Sequence, residues 1–199
     1  MALRIITLSG PIASGKSTMV DGMKQRSSFE HIMTSTLMRK LFPGTADDRG
    51  ELHKLADRLE AKTGGAWLAE ALADAVKGRT DGVVIVDSVR TAAQLEAIRK
   101  RFPGQVTHLH TTASTGELKR RYDLRDKPMD RGKTFEEARN APQEQAIERL
   151  AKHADITLMQ DGKSPEQVAT EAILRLKLTP PRANRTRPLR RRKMALPRP

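Results

Sequence analysis

The chain has 199 residues, of which 37% are hydrophobic and 3% aromatic, and a formal net charge of +13. It contains no cysteine, which excludes disulfides, thiolate metal sites and a cysteine nucleophile. No apolar run approaches the ~20 residues that span a bilayer, so the expectation is a cytoplasmic protein of one domain with an aliphatic core.

Leu3 to Leu8 is an apolar run of strand length. Gly10-Pro11-Ile12-Ala13-Ser14-Gly15-Lys16-Ser17-Thr18 follows at once, and a helical pattern runs from about Ser14 to Arg26. His31 to Thr34 is a second strand candidate. Asp47 to Lys62 has Leu52, Leu55 and Leu59 on one face, with Asp47 or Asp48 as cap, and reads as a helix. Trp67 to Lys77 is another helix. Gly82 to Asp87 carries Val83-Val84-Ile85-Val86, apolar without alternation, as expected of a strand covered on both faces. Helix Ala92 to Arg101, strand Val106 to Thr111, helix Thr115 to Arg125, helix Phe135 to His153, strand Ile156 to Met159 and helix Pro165 to Leu176 complete the order. Alternation of this kind predicts an α/β fold: three layers, with a five-stranded parallel sheet between helices. The domain is expected over residues 1–177, with a small charged lid at about 123–142. From Leu178 to Pro199 there are eight basic residues, five prolines and no acid, a composition that cannot build a core.

Gly10 to Ser17 satisfies the Gly-x-x-x-x-Gly-Lys-Ser pattern in its required setting, after a strand and before a helix. Its amides would wrap a phosphate at a helix N-terminus. Lys16 would reach the terminal phosphates of ATP, and the Ser17 hydroxyl would hold Mg²⁺. Asp87 ends the buried strand where α/β folds place ligand groups, and is expected to complete the Mg²⁺ environment. Arg90, three residues on, is placed for a second phosphate.

With these residues in place, the chain resembles the nucleoside monophosphate kinases, of which adenylate kinase is the best-known member. Ile32-Met33-Thr34-Ser35-Thr36-Leu37-Met38-Arg39 is similar to the family's acceptor stretch, which implies Thr34 and Arg39 as acceptor ligands. Asp87-Ser88-Val89-Arg90-Thr91-Ala92-Ala93-Gln94 is similar to the segment that binds the acceptor through Arg and Gln, here Arg90 and Gln94. Leu118 to Arg125 looks like the helix with two lid arginines, which implies Arg121 and Arg125, with Arg120 an alternative in register. His153-Ala154-Asp155-Ile156 is similar to the start of the last strand in this group and in dephospho-coenzyme A kinases. Ser35 in place of Gly, and Ser88-Val89 in place of Gly-Phe-Pro, depart from the pattern and leave the base open. The chain also looks like the small kinase-like ATPase domain found with adenylosuccinate synthetase. The resemblance covers residues 3–177 and implies strand order 2-3-1-4-5.

A monophosphate acceptor needs cations to offset repulsion between two anions, and Arg39, Arg90, Arg121, Arg125 and Arg131 would supply them. The expected reaction is transfer of the ATP γ-phosphate to a (deoxy)nucleoside monophosphate, with Lys16, Asp87, Arg121 and Arg125 carrying catalysis. A hydroxyl acceptor such as a nucleoside or dephospho-coenzyme A is the alternative, with Asp87 as base. Arg49, Asp57 and Trp67 lie in the region bordering the acceptor, Trp67 being expected in the core. His108 and His110 share a strand face and are expected to pack rather than bind metal. The basic tail suits a nucleic acid or an acidic protein, and a nucleotide-dependent binding module acting through it is the other alternative.

Overall fold

The computed structural model describes residues 2–44, 49–125 and 132–180. Five strands form one parallel sheet, numbered here in chain order: β1 Arg4–Ser9, β2 Glu30–Met33, β3 Val83–Asp87, β4 Val106–Thr112 and β5 Ile156–Met159. Their spatial order is β2-β3-β1-β4-β5, as the resemblance implied. The helices are α1 Lys16–Lys24, α2 Thr34–Leu41, α3 Arg49–Thr63, α4 Ala66–Ala75, α5 Ala92–Arg101, α6 Thr115–Leu124, α7 Phe135–Arg139, α8 Pro142–Arg149 and α9 Pro165–Arg175. Among the described residues none is long and apolar enough to cross a membrane.

The unbroken apolar run in β3 serves both faces of the sheet. Val84 and Val86 join Ile5, Leu68, Leu72 and Leu95 under α2 to α5, whereas Ile85 joins Ile6, Leu8, Leu109, Met19 and Val168 under α1 and α9. Alternate residues thus feed two cores with no polar face between them, the arrangement of a three-layer domain. Trp67 is buried in the first core, as expected. Leu178 is packed in the second, so the domain extends past the expected boundary, and residues 181–199 lie outside the described ones.

Three helices differ from the sequence reading. Thr34, read as the end of a strand, begins α2, an eight-residue helix that buries Thr34, Leu37 and Met38; its β-branched threonines favour strand locally, and packing overrides that preference. The helix expected from Phe135 to His153 is divided. Pro142 has no N–H to donate back and stands in the first turn of α8, separating it from α7, and residues 150–153 tighten into a 3-10 turn. Part of the expected lid is therefore helical. α7 has a reciprocal Thr134–Glu137 capping box, and Phe135 is buried against Ala113, Leu118 and Tyr122. The proposed caps Asp47 and Asp48 lie outside the described residues.

Register places the chemistry at one edge. Leu8 pairs with Asp87 on one side of β1, and Ser9 with His110 on the other. The phosphate loop therefore leaves the sheet between the C-terminal ends of β3 and β4.

Candidate functional site

A cleft of about 470 Å³ opens over that edge. Its floor is the loop from Ser9 to Thr18, and its walls carry Ser88, Val89, Arg90, Arg121, Arg125, Glu144 and Ile147.

The loop is set by its backbone. Ser14 N–H donates to the Pro11 carbonyl at 3.1 Å, and Ala13 holds a left-handed φ of 62° that costs a residue with a Cβ about 1–2 kcal/mol. Gly15 has φ 78°, and a Cβ there would stand 2.5 Å from Gln160 Oε1. Helix α1 begins with no side-chain cap and no acid in its first turn, so its amides and dipole are left for an anion. Lys16 Nζ donates to the Gly10 carbonyl, and lies 3.4 Å from both the Pro11 carbonyl and Ser14 Oγ. Ser17 is exposed at the start of the helix.

Beneath the loop runs a buried polar chain. Thr7 Oγ1 contacts His108 Nδ1 at 2.8 Å, Ser9 Oγ contacts His108 Nε2 at 2.9 Å and His110 Nδ1 at 2.8 Å. Thr111 Oγ1 donates to Ser14 Oγ at 3.0 Å. A single serine hydroxyl can donate to only one imidazole, so the other imidazole must donate to it. Burial lowers both to about 4, helped at His108 by the neighbouring His110 and at His110 by the charge of Lys16. These histidines pack and support, as the sequence suggested.

Asp87 is buried at the end of β3, with His31 Nε2 3.5 Å from Oδ2 and Ser88 Oγ donating to Oδ1 at 3.3 Å. Burial alone would raise its pKa, but the contact with His31 and the charge of Lys16 outweigh it and hold the carboxyl below its ordinary value. It is ionised at neutral pH. The next residue, Ser88, has φ 75°, and Val89 N–H donates to the Leu8 carbonyl at 3.1 Å.

The arginines of helix α6 and its end are placed differently. Arg121 faces the cleft, with Nε on Glu117 Oε1 at 2.6 Å, Nη1 on Gln160 Oε1 at 3.1 Å and Nη2 on the Gln160 carbonyl at 3.2 Å. Arg125 lies with its guanidinium 4.6 Å above the Tyr122 ring. Arg120 is exposed and forks onto Glu117 at 2.7 and 2.8 Å. The hydrogen bonds from Arg120 and Arg121 lower Glu117 to about 2. A second cleft of about 250 Å³ adjoins the loop at Gly15 and Thr18, walled by Arg120, Arg121, Gln160 and Lys163.

Of the implied acceptor ligands, only Arg90 lines the main cleft. Thr34 is buried and donates to the Asp87 carbonyl at 2.7 Å, joining β2 to β3. Gln94 is buried with its carbonyl on Arg90 N–H at 3.0 Å and its amide on Glu60 at 2.9 Å. Arg39, on α2, does not line the cleft, and Asp57 is exposed on α3. Arg131 and the side chain of Arg49 lie outside the described residues.

Glu144, Ile147, His31 and Gln160 were not anticipated. Glu144 Oε2 accepts from Ile12 N–H at 2.9 Å, so α8 grips the loop from across the cleft. No local pattern announces that contact, because its partners are 132 positions apart. The lining has four cations, Lys16, Arg90, Arg121 and Arg125, against the single carboxylate Glu144. The cleft therefore carries an excess of positive charge beside the loop.

A family model described as an AAA domain matches residues 5–150. The cytidylate kinase of Natronomonas pharaonis is 42% identical over 57 residues, 27% of this chain. The matched stretch spans 28% of that kinase's length. Among solved structures, a sugar kinase from Janibacter sp. HTCC2649 superposes with a TM-score of 0.58 at 16% identity, over 89% of this chain and 96% of that one. Shikimate kinase from Bacteroides thetaiotaomicron gives a TM-score of 0.54 at 19% identity, over 88% and 99%. These two likenesses are of fold.

Proposed function

The chain belongs to the AAA domain family that its residues 5–150 match, and on that premise we propose that it is an ATP-dependent kinase whose acceptor is a (deoxy)nucleoside monophosphate. The carrying observation is the opposition, in one cleft, of an anion-ready loop and three arginines from other elements, Arg90, Arg121 and Arg125. Phosphoryl transfer depends on positioning and on charge stabilisation more than on covalent steps, and this lining is built for both.

In this reading the amides at the start of α1 hold the β- and γ-phosphates of ATP. Lys16 exchanges its loop carbonyls for phosphate oxygens and follows the migrating group. Asp87 and Ser17 offer one ionised carboxylate and one hydroxyl, oxygen donors that fit Mg²⁺, an ion that keeps several waters and takes phosphate oxygens. When bound, Mg²⁺ would neutralise charge on the transferring phosphate. Arg90 holds the acceptor phosphate from the β3 side, and Arg121 and Arg125 close the opposite side. The adjoining cleft at Thr18, Arg120, Gln160 and Lys163 has room beside the loop for the base of ATP. The short match to a cytidylate kinase supports a nucleotide acceptor.

A hydroxyl acceptor is the second reading, supported by the fold shared with a sugar kinase and a shikimate kinase. Asp87 would then be the base. Its lowered pKa makes it a weak one, which favours the monophosphate.

The test is ADP release from Mg-ATP against a panel of nucleoside monophosphates, nucleosides, sugars and dephospho-coenzyme A. Strong stimulation by a monophosphate, lost about 100-fold in Arg90→Ala with ATP affinity retained, is the expected result. Stimulation by hydroxyl acceptors alone would replace the first reading with the second.

A further inference from the structure

We propose that Glu60, on α3 and outside the cleft, is the positioning residue that sets Arg90 for the acceptor phosphate. The proposal rests on the reading of Arg90 as that phosphate's ligand.

Both oxygens of Glu60 are engaged. Oε1 accepts from Thr91 Oγ1 at 2.5 Å, and Oε2 accepts from Gln94 Nε2 at 2.9 Å and Trp67 Nε1 at 3.3 Å. Gln94 passes the constraint on, since its carbonyl receives the main-chain N–H of Arg90 at 3.0 Å. Thr91 Oγ1 in turn accepts from Gln94 N–H at 3.2 Å and caps α5. The result is a closed circuit of hydrogen bonds around the two residues that follow Val89. Three neutral donors meet a carboxylate, so each bond is charge-assisted and stronger than its neutral counterpart. The neighbouring backbone is arranged for the approach. Gly65 has φ 87°, and a Cβ there would lie 2.6 Å from Gln94 N, so glycine lets the start of α4 press on the first turn of α5.

An α5 cap alone would need only Thr91. The added carboxylate makes sense beside Ser88, whose left-handed φ of 75° is a conformation that persists only where surroundings over-determine it. Val89 N–H on the Leu8 carbonyl fixes the strained segment from the sheet side. Glu60 fixes it from the helix side. Between these two anchors the Arg90 side chain enters the cleft at one height and angle, as bidentate recognition of a phosphate requires.

A four-member kinetic cycle tests this, using the full chain and the monophosphate that the panel identifies: wild type, Glu60→Ala, Arg90→Ala and the double variant. Glu60→Ala should raise the acceptor KM about tenfold, leave the KM for ATP unchanged, and add nothing in the Arg90→Ala background. Glu60→Gln, which keeps the volume and one acceptor oxygen, should recover part of the loss. It also decides the matter if the alanine variant fails to fold. Trp67, the only tryptophan in the chain, reports the circuit independently, and its emission should shift in Glu60→Ala. If Arg90→Ala leaves turnover intact, or no monophosphate is turned over, both this inference and the reading beneath it fall. If Arg90→Ala is impaired while Glu60→Ala is normal, or adds its full effect to the double variant, the inference alone falls.

Discussion

The floor and the walls of the cleft are made in different ways. The floor is ten contiguous residues, Ser9 to Thr18, shaped by backbone angles, among them φ 62° at Ala13 and φ 78° at Gly15, with Lys16 as its one cation. The walls are separate side chains, and their arginines are held by groups outside the cleft. Glu117 and Gln160 hold Arg121, the Tyr122 ring supports Arg125, and Gln94 fixes the main chain of Arg90. A backbone site is written in a short stretch and tolerates little change there. A side-chain site is spread over the chain, and its selectivity can change with one supporting residue at a time.

The sharpest way to break this contrast is at the floor. Lys16→Ala should lower turnover about 1,000-fold while thermal unfolding stays close to wild type, if, as proposed, the lysine acts on migrating charge. A comparable loss from a single wall variant would erase the distinction. Next is the support beneath each part. The floor rests on His108 and His110, held at about 4 in the folded protein against an ordinary 6.5. The unfolded chain therefore takes up protons between pH 6.5 and 4 that the folded chain refuses. Stability present above pH 6.5 should be lost as the pH falls through that window, by on the order of a few kcal/mol for the pair. Urea midpoints at pH 7, 5.5 and 4.5 would show the slope, and His110→Asn should flatten it.

Within the walls, Arg121→Ala should cost about 100-fold in kcat/KM and Arg120→Ala about tenfold, in the KM for ATP, because Arg121 lines both clefts and Arg120 only the adjoining one. Equal effects would return the register of α6 to doubt. The smallest effect is expected at Tyr122→Leu, which keeps the burial and removes the ring under Arg125. A loss of about 0.5–1 kcal/mol in transition-state stabilisation, or a few-fold in rate, follows from the cation–π contact alone.

The same contrast explains what could be read before the structure. The loop, all five strands and the acid at the end of β3 were legible because each is a local pattern of period, length or spacing. Arg121 was legible only through a resemblance, with a register error of one residue left open. Glu144, Gln160 and His31 were not legible, because each acts on a partner far away in sequence that only folding brings near. Thr34 and Gln94 show the converse. Their residue types match acceptor ligands, yet buried carbonyls, amides and the Glu60 carboxylate claim their polar atoms. The division of α7 from α8 was present in the sequence as Pro142, but the apolar spacing on either side favoured one long helix.

The small apolar group of Ala113, Leu118, Tyr122 and Phe135 stands apart from the two cores that flank the sheet. Opening α6 and α7 together would expose little of the surface that holds β1 and β3 in place, so these helices should open as one unit at lower cost than the sheet. Amide hydrogen exchange should be faster in α6 than in β1, and ATP should slow it selectively, since its phosphates would bridge Lys16 to Arg121 and Arg125. Substrate would then be bound partly by recruiting a segment that fluctuates on its own, and affinity would depend on how often that segment is already in place.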